Sequence, residues 1–170
     1  KGNFDSWHQE DSRKINNKIT LSILDEWNFY TIIDIGSGKG ALTHLLKKRN
    51  NKVVGLDISS TAVEQAKAKF PDIQFESIDV NDSDSWHQYL CKKSESWGGV
   101  DLVFTSECLS YLENWQTFLH TISKYSEFIM IRLYIPDNPI GFVKPPEELE
   151  LEVSKCFKVL ESVHLTKTNF

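Results

Sequence analysis

Three acids stand at the ends of apolar stretches, and three closely spaced glycines follow the first of them. The first stretch is Thr31-Ile-Ile-Asp34-Ile-Gly36-Ser37-Gly38-Lys39-Gly40-Ala41. The second, Val53-Val-Gly-Leu-Asp57-Ile58, follows about one strand–helix unit later, and the third is Ser77-Ile-Asp79-Val80. Glycines let backbone N–H groups come close to a ligand, and an acid at the next strand end can take both hydroxyls of a ribose. The chemistry implied is a nucleoside site. The spacing is G-x-G-x-G, so the third glycine comes one residue earlier than in the dinucleotide fingerprint G-x-G-x-x-G. Asp34 lies inside the strand end, where an acid suits a cationic or amino-bearing ligand better than a pyrophosphate. Asp34 has a second reading as a structural cap of the glycine turn. Lys39 is followed by Gly40 and not by Ser or Thr, so the turn is not a P-loop.

A second group of reactive types surrounds Ser106-Glu107-Cys-Leu-Ser-Tyr111, after a fourth apolar stretch. Glu107 is placed to take a proton from a hydroxyl or amine, or to orient the molecule that carries it. It could equally be an acid that stabilises a helix N-terminus. Tyr111 reads as a pocket wall, a lid or a core residue. His8, beside Trp7 near the start, is a base candidate because imidazole titrates near neutrality, with a plain surface histidine as the alternative. Tyr134 opens a long stretch holding four of the five prolines, a stiff loop able to wall a pocket or merely to cross over. Cys91, Cys108 and Cys156 are far apart, with no metal-ligand spacing, and no metal site is expected.

These residues need rigid elements to position them. Ile15, Ile19, Ile23 and Trp27 recur every four residues and predict an amphipathic helix over 13–27 with that face inward. Buried strands are predicted at 31–35, 52–56, 73–78, 100–105 and 127–135. Helices are predicted at 40–49, 60–70, 82–93, 114–123 and 147–155, and a last strand at 157–165. Strands alternating with helices imply a doubly wound, mainly parallel α/β sheet with helices on both faces. Ligands then sit beyond the carboxyl ends of the strands, which is where the acids and the Ser106–Tyr111 stretch fall.

The 170 residues suit one domain. A net charge of −5 argues against nucleic acid, which needs a basic face. No apolar run reaches the length of a membrane span, and the first residues carry no signal-peptide core. Three unpaired cysteines suit a reducing, cytoplasmic setting.

Asp34-Ile-Gly-Ser-Gly-Lys-Gly40 resembles the first motif of the class I S-adenosylmethionine-dependent methyltransferases. Gly55-Leu-Asp57-Ile58, Ser77-Ile-Asp79-Val80 and Asp101-Leu-Val-Phe-Thr-Ser106-Glu107-Cys-Leu-Ser-Tyr111-Leu resemble the next three motifs, in order and at family spacing. The resemblance implies a Rossmann-like methyltransferase fold over 1–170, with 1–28 as a lid or helix. It implies S-adenosylmethionine on Asp34, Gly36, Ser37, Gly38, Gly40 and Ser106, with ribose on Asp57 and the adenine amino group on Asp79. The adenine ring would lie between Ile58 and Val80, and S-adenosylhomocysteine would leave as product. Trp7, Tyr111 and Tyr134 would line a small-molecule acceptor site, with Glu107 and His8 as catalytic candidates. The small size is similar to methyltransferases of bacterial secondary metabolism and surface polysaccharides, including nodulation-type N-methyltransferases, and the Asn/Lys/Ile-rich usage suits an AT-rich bacterial genome. A non-catalytic cofactor-binding protein and a nicotinamide-dependent oxidoreductase are the competing readings. Family sheets close with two antiparallel strands, of which 157–165 would be one.

Overall fold

In the computed structural model the structure describes residues 14–135 and 141–164. Its elements follow chain order as α1 (Ile15–Asp25), β1 (Thr31–Ile35), α2 (Ala41–Leu46), β2 (Lys52–Asp57), α3 (Ser60–Lys69), β3 (Gln74–Ser77), α4 (Ser83–Trp97), β4 (Val100–Ser106), α5 (Trp115–Ile122), β5 (Ser126–Arg132) and α6 (Pro146–Cys156). A short 3₁₀ turn, Leu109–Tyr111, follows β4. The strands make one sheet in the order β3-β2-β1-β4-β5, with every pairing parallel. Chain order reverses between β1 and β4, the point beyond whose carboxyl ends open parallel sheets form their ligand crevice.

Both sheet faces are covered. Ile33, Ile35, Val54, Leu56 and Val103 pack with Trp86 and Leu90 of α4 and with Trp115, Phe118, Leu119 and Ile122 of α5. On the other face Ile32, Val53, Leu102 and Phe104 pack with Leu24 of α1 and with Leu42 and Leu46 of α2. Val63 and Ala66 of α3 close over Phe75 of β3. Burial on two faces is why β1, β2 and β4 read as continuous apolar runs rather than alternating ones. Ser59 caps α3 through its side chain, and Asp82 caps α4, as their residue types favour.

Three elements differ in their ends, α2 stopping at Leu46, α4 running on to Trp97 and β5 stopping at Arg132, and two differ in kind. Helix α1 buries Asn17, Thr20 and Leu24, while Ile15 and Trp27 are exposed. The first turns of α1 meet the carboxyl end of β5, where Asn17 accepts from Arg132, while Leu24 packs in the apolar layer, so the inward side is not the isoleucine stripe. Residues 157–164, read as a strand, follow α6 without strand pairing and are mostly exposed. Their apolar pattern has no sheet partner among the described residues.

Gly40 is a tight point of the fold and combines close packing with a left-handed backbone. Its φ is +79°, and a Cβ there would stand 2.6 Å from the Phe75 ring and 3.2 Å from Ala66. Gly40→Ala combines a left-handed backbone penalty of about 1–2 kcal/mol with overpacking of about 1–3 kcal/mol. The midpoint of thermal unfolding is expected to fall by roughly 4–20 °C, at about 2–4 °C per kcal/mol for a chain of this size. An unchanged midpoint would show that the α3–β3 layer yields freely.

Candidate active site

The glycine turn is held to β2 rather than floating above it. The N–H groups of Gly36 and Ser37 both donate to the Leu56 carbonyl, at 2.8 and 2.9 Å. Gly38 N–H donates to Asp57 Oδ2 at 2.8 Å, and Ser59 N–H donates to Asp57 Oδ1 at 2.9 Å. Gly36, Gly38 and Gly40 all take left-handed φ values, which only glycine adopts without strain. Asp57 therefore ties the turn to the strand end. Each carboxylate oxygen keeps capacity for a second donor, as two ribose hydroxyls require.

Asp34 is buried beneath this turn, 1% exposed, and accepts from the Thr43 hydroxyl of α2 at 2.6 Å. Burial is the largest influence on it and raises its pKa to about 7; the Thr43 hydrogen bond and the Arg132 charge oppose the rise, and Asp57 adds to it. The folded pKa lies above the ordinary value of 3.8, so the native state holds the proton more tightly than the unfolded chain. The stability this gives is complete below about pH 4 and is lost as pH rises to about 7. Asp34→Asn is expected to remove this dependence. The wild-type minus variant difference in urea midpoint should fall between pH 4.5 and 7.5, and a constant difference would contradict the assignment.

The glycine turn is met by the turn after β4. A Cβ on Gly36 would stand 2.7 Å from Cys108 Cβ, so the two turns touch only because position 36 has no side chain. Burial, with the charges of Asp57 and Asp34, pushes the Cys108 thiol up to about 12, which makes it a neutral wall and not a nucleophile. Glu107 has a φ of +57°, unusual for a residue other than glycine. Its N–H donates to the Arg132 carbonyl at 2.8 Å, and its Oε2 accepts the Tyr134 N–H at 2.8 Å. Its Oε1 lies 3.9 Å from Arg132 Nε. Phe142 N–H donates to the Ser110 carbonyl at 2.8 Å, and Val143 is buried. The turn after β4 thus grips the segment after β5 at two points, which brings Ser106, Glu107, Tyr111 and Tyr134 to one region. Tyr111 and Tyr134 are exposed there.

On the far side of the crevice Ile58 is exposed and Val80 half-buried. Asp79 is exposed, and its Oδ1 accepts the Asn81 N–H at 2.9 Å. Trp7 and His8 lie outside the described residues.

Sequence reading missed Arg132, Asn17, Thr43 and Cys108. Arg132 Nη1 donates to Asn17 Oδ1 at 2.5 Å and so joins β5 to α1. Burial pulls its guanidinium below the ordinary value, against the opposing pull of Glu107 and Asp34. One signal was available: a lone cation closing the apolar run Phe128-Ile-Met-Ile-Arg132. Among the described residues five buried side-chain polar atoms lack a hydrogen-bond partner. Ser37 Oγ, Thr105 Oγ1, Ser106 Oγ and Arg132 Nε belong to the carboxyl ends of β1, β4 and β5, and only Trp86 Nε1 lies elsewhere. Buried polar groups are normally satisfied, so this clustering marks where a polar ligand belongs. The positive-φ glycine turn, the acid at the end of β2 and these donors fit a nucleoside with a charged tail.

Residues 33–126, more than half of the sequence, match the methyltransferase domain family. The chain belongs to that family. Methyltransferases of this family use S-adenosylmethionine, in keeping with the cofactor expected from the motifs. Trans-aconitate 2-methyltransferase of Escherichia coli O7:K1 is 26% identical over 130 residues, 75% of this chain and 46% of that protein. The methyltransferase chain spans less than half the length of the curated relatives it matches. In fold it is similar to magnesium protoporphyrin IX methyltransferase of Synechocystis PCC 6803, solved with bound S-adenosylmethionine. That likeness has a TM-score of 0.65 at 16% identity, covering 99% of this chain and 82% of the other. The N-terminal domain of EvdMO1, solved with S-adenosylhomocysteine, gives 0.62 at 14% identity, covering 82% and 69%.

Proposed function

We propose that this methyltransferase binds S-adenosylmethionine across Gly36–Gly40 and Asp57 and methylates an oxygen or nitrogen of a small molecule. The observation that carries the reading is the position of the glycine turn. It lies at the reversal of strand order, with Asp57 at the end of β2 and unpaired polar atoms at the ends of β1, β4 and β5. The bound cofactor supplies an activated methyl group on a sulfonium, so displacement needs alignment and exclusion of water more than it needs activation. Gly36, Ser37, Gly38 and Gly40 hold the backbone close, Asp57 takes the ribose, Asp79 the adenine amino group, and Ile58 and Val80 the ring faces. Ser106 contacts the cofactor, and Tyr111, Tyr134 and Trp7 form the acceptor side. Glu107 or His8 takes the proton when the acceptor is a hydroxyl or ammonium; an anionic oxygen requires no base.

Three free thiols support a reducing compartment, the cytoplasm, and no described helix is long and apolar enough to cross a membrane. The bacterial and secondary-metabolic setting rests on the resemblance of the motifs and size alone. The test is S-adenosylhomocysteine formation during an acceptor screen, with direct binding of S-adenosylmethionine and of NAD measured in parallel. Binding of S-adenosylmethionine with turnover of one acceptor is expected. Binding without turnover across the screen would favour a cofactor-binding protein. Preference for NAD would overturn the cofactor reading.

A further inference from the structure

We propose that Ser106 and Arg132 form a carboxylate-recognition site facing α1, a proposal that rests on the cofactor reading above. The two residues are direct partners in the parallel β4–β5 ladder, so their side chains leave the sheet next to each other and on the same face. Phe104 and Leu102 of β4, with Phe128 and Met130 of β5, precede them on that face and pack into the apolar layer beneath α1 and α2. A polar pair therefore ends an otherwise apolar face, under a helix whose own buried stripe includes Asn17 and Thr20.

Both side chains are withdrawn from water and incompletely paired. Ser106 is 3% exposed, and the Arg132 side chain 13%. Ser106 Oγ and Arg132 Nε have no hydrogen-bond partner among the described residues. Glu107 does not satisfy Nε: its Oε1 is 3.9 Å away, beyond hydrogen-bond reach, and its Oε2 is occupied by the Tyr134 N–H. Arg132 Nη1 is taken by Asn17, which fixes the guanidinium plane from one edge. The edge carrying Nε remains for a ligand.

A guanidinium edge presents parallel N–H groups that match the two oxygens of a carboxylate, and a serine hydroxyl beside it adds another donor. The charge balance favours a single negative charge. Arg132 is one cation close to Glu107 and Asp34, so a doubly charged phosphate would leave one more uncompensated negative charge than a carboxylate in a poorly hydrated place. The carboxylate has two possible sources. One is the amino-acid end of the cofactor, whose ammonium would balance the acids. The other is a carboxylate on the acceptor. Because Arg132 also holds Asn17, filling the site fixes α1 over the crevice, which makes Arg132 a positioning residue for the helix as well as a ligand contact.

The experiment compares Arg132→Gln with wild type by calorimetry. The probes are S-adenosylhomocysteine, 5′-methylthioadenosine, which lacks the amino-acid end, and trans-aconitate added to protein saturated with S-adenosylhomocysteine. If the cofactor supplies the carboxylate, affinity for S-adenosylhomocysteine falls about 10- to 100-fold while that for 5′-methylthioadenosine holds, the scale of a lost charge-assisted hydrogen bond. If the acceptor supplies it, both nucleosides bind as in wild type and trans-aconitate affinity falls by a similar factor. Unchanged affinity for all three probes, or an equal loss for both nucleosides, overturns the proposal. Ser106→Ala repeats the comparison without disturbing the Arg132–Asn17 contact and is expected to move the same probe by a smaller factor. No effect from Ser106→Ala, should Arg132→Gln fail to fold, also overturns it. Failure of wild type to bind either nucleoside refutes the cofactor reading itself, and the carboxylate site falls with it.

Discussion

Glu107→Gln is expected to slow single-turnover methyl transfer by about 10²–10⁴-fold when the acceptor must lose a proton, the usual scale for a missing general base. The substitution isolates charge from architecture. Glutamine keeps an amide oxygen able to accept the Tyr134 N–H, the 2.8 Å contact that anchors the segment after β5. It removes the carboxylate that faces Arg132. The left-handed backbone at Glu107 is backbone strain of order 1–3 kcal/mol beside the site, kept because two hydrogen bonds to the β5 end over-determine it. An unchanged chemical step with weaker acceptor binding would assign Glu107 to orientation alone. An unchanged rate and unchanged acceptor affinity would remove Glu107 from the site.

Asp57→Ala is expected to weaken S-adenosylhomocysteine binding by about 100-fold or more. Two charge-assisted hydrogen bonds to ribose, at roughly 1.5–3 kcal/mol each before compensation, would be lost. The same carboxylate also holds the N–H groups of Gly38 and Ser59, so its removal loosens the turn that carries the ligand. Asp57→Asn separates the two effects: an amide oxygen can still accept one backbone N–H, while the charge is gone. Calorimetry should rank wild type above Asn and Asn above Ala. Equal affinity in all three would sink the ribose assignment.

Sequence alone determined much of the frame, for a local reason. β1, β2 and β4 are central parallel strands buried on both sides, and such strands write themselves as short apolar runs between glycine, proline and capping residues. Thr31–Ile35 was therefore legible to the residue, and the start of α3 to within one residue. The glycine turn was legible because left-handed backbone leaves glycine as its mark, and the strand-end acids because each follows an apolar run at fixed spacing. Tertiary structure decided what depends on residues far apart in the chain. The start of α1 turns a polar residue inward because Arg132, 115 positions away, meets Asn17 there. The apolar pattern at 157–164 stayed irregular because a strand exists only with a partner to complete its ladder. Cys108 became a wall because Gly36 comes within contact distance of it, and Glu107 became part of a network because Tyr134 and Arg132 fold back onto its turn. Hydrogen bonds and burial between distant positions leave no periodic trace, so pattern reading reaches the elements and their ends, and only packing assigns each polar side chain its partner.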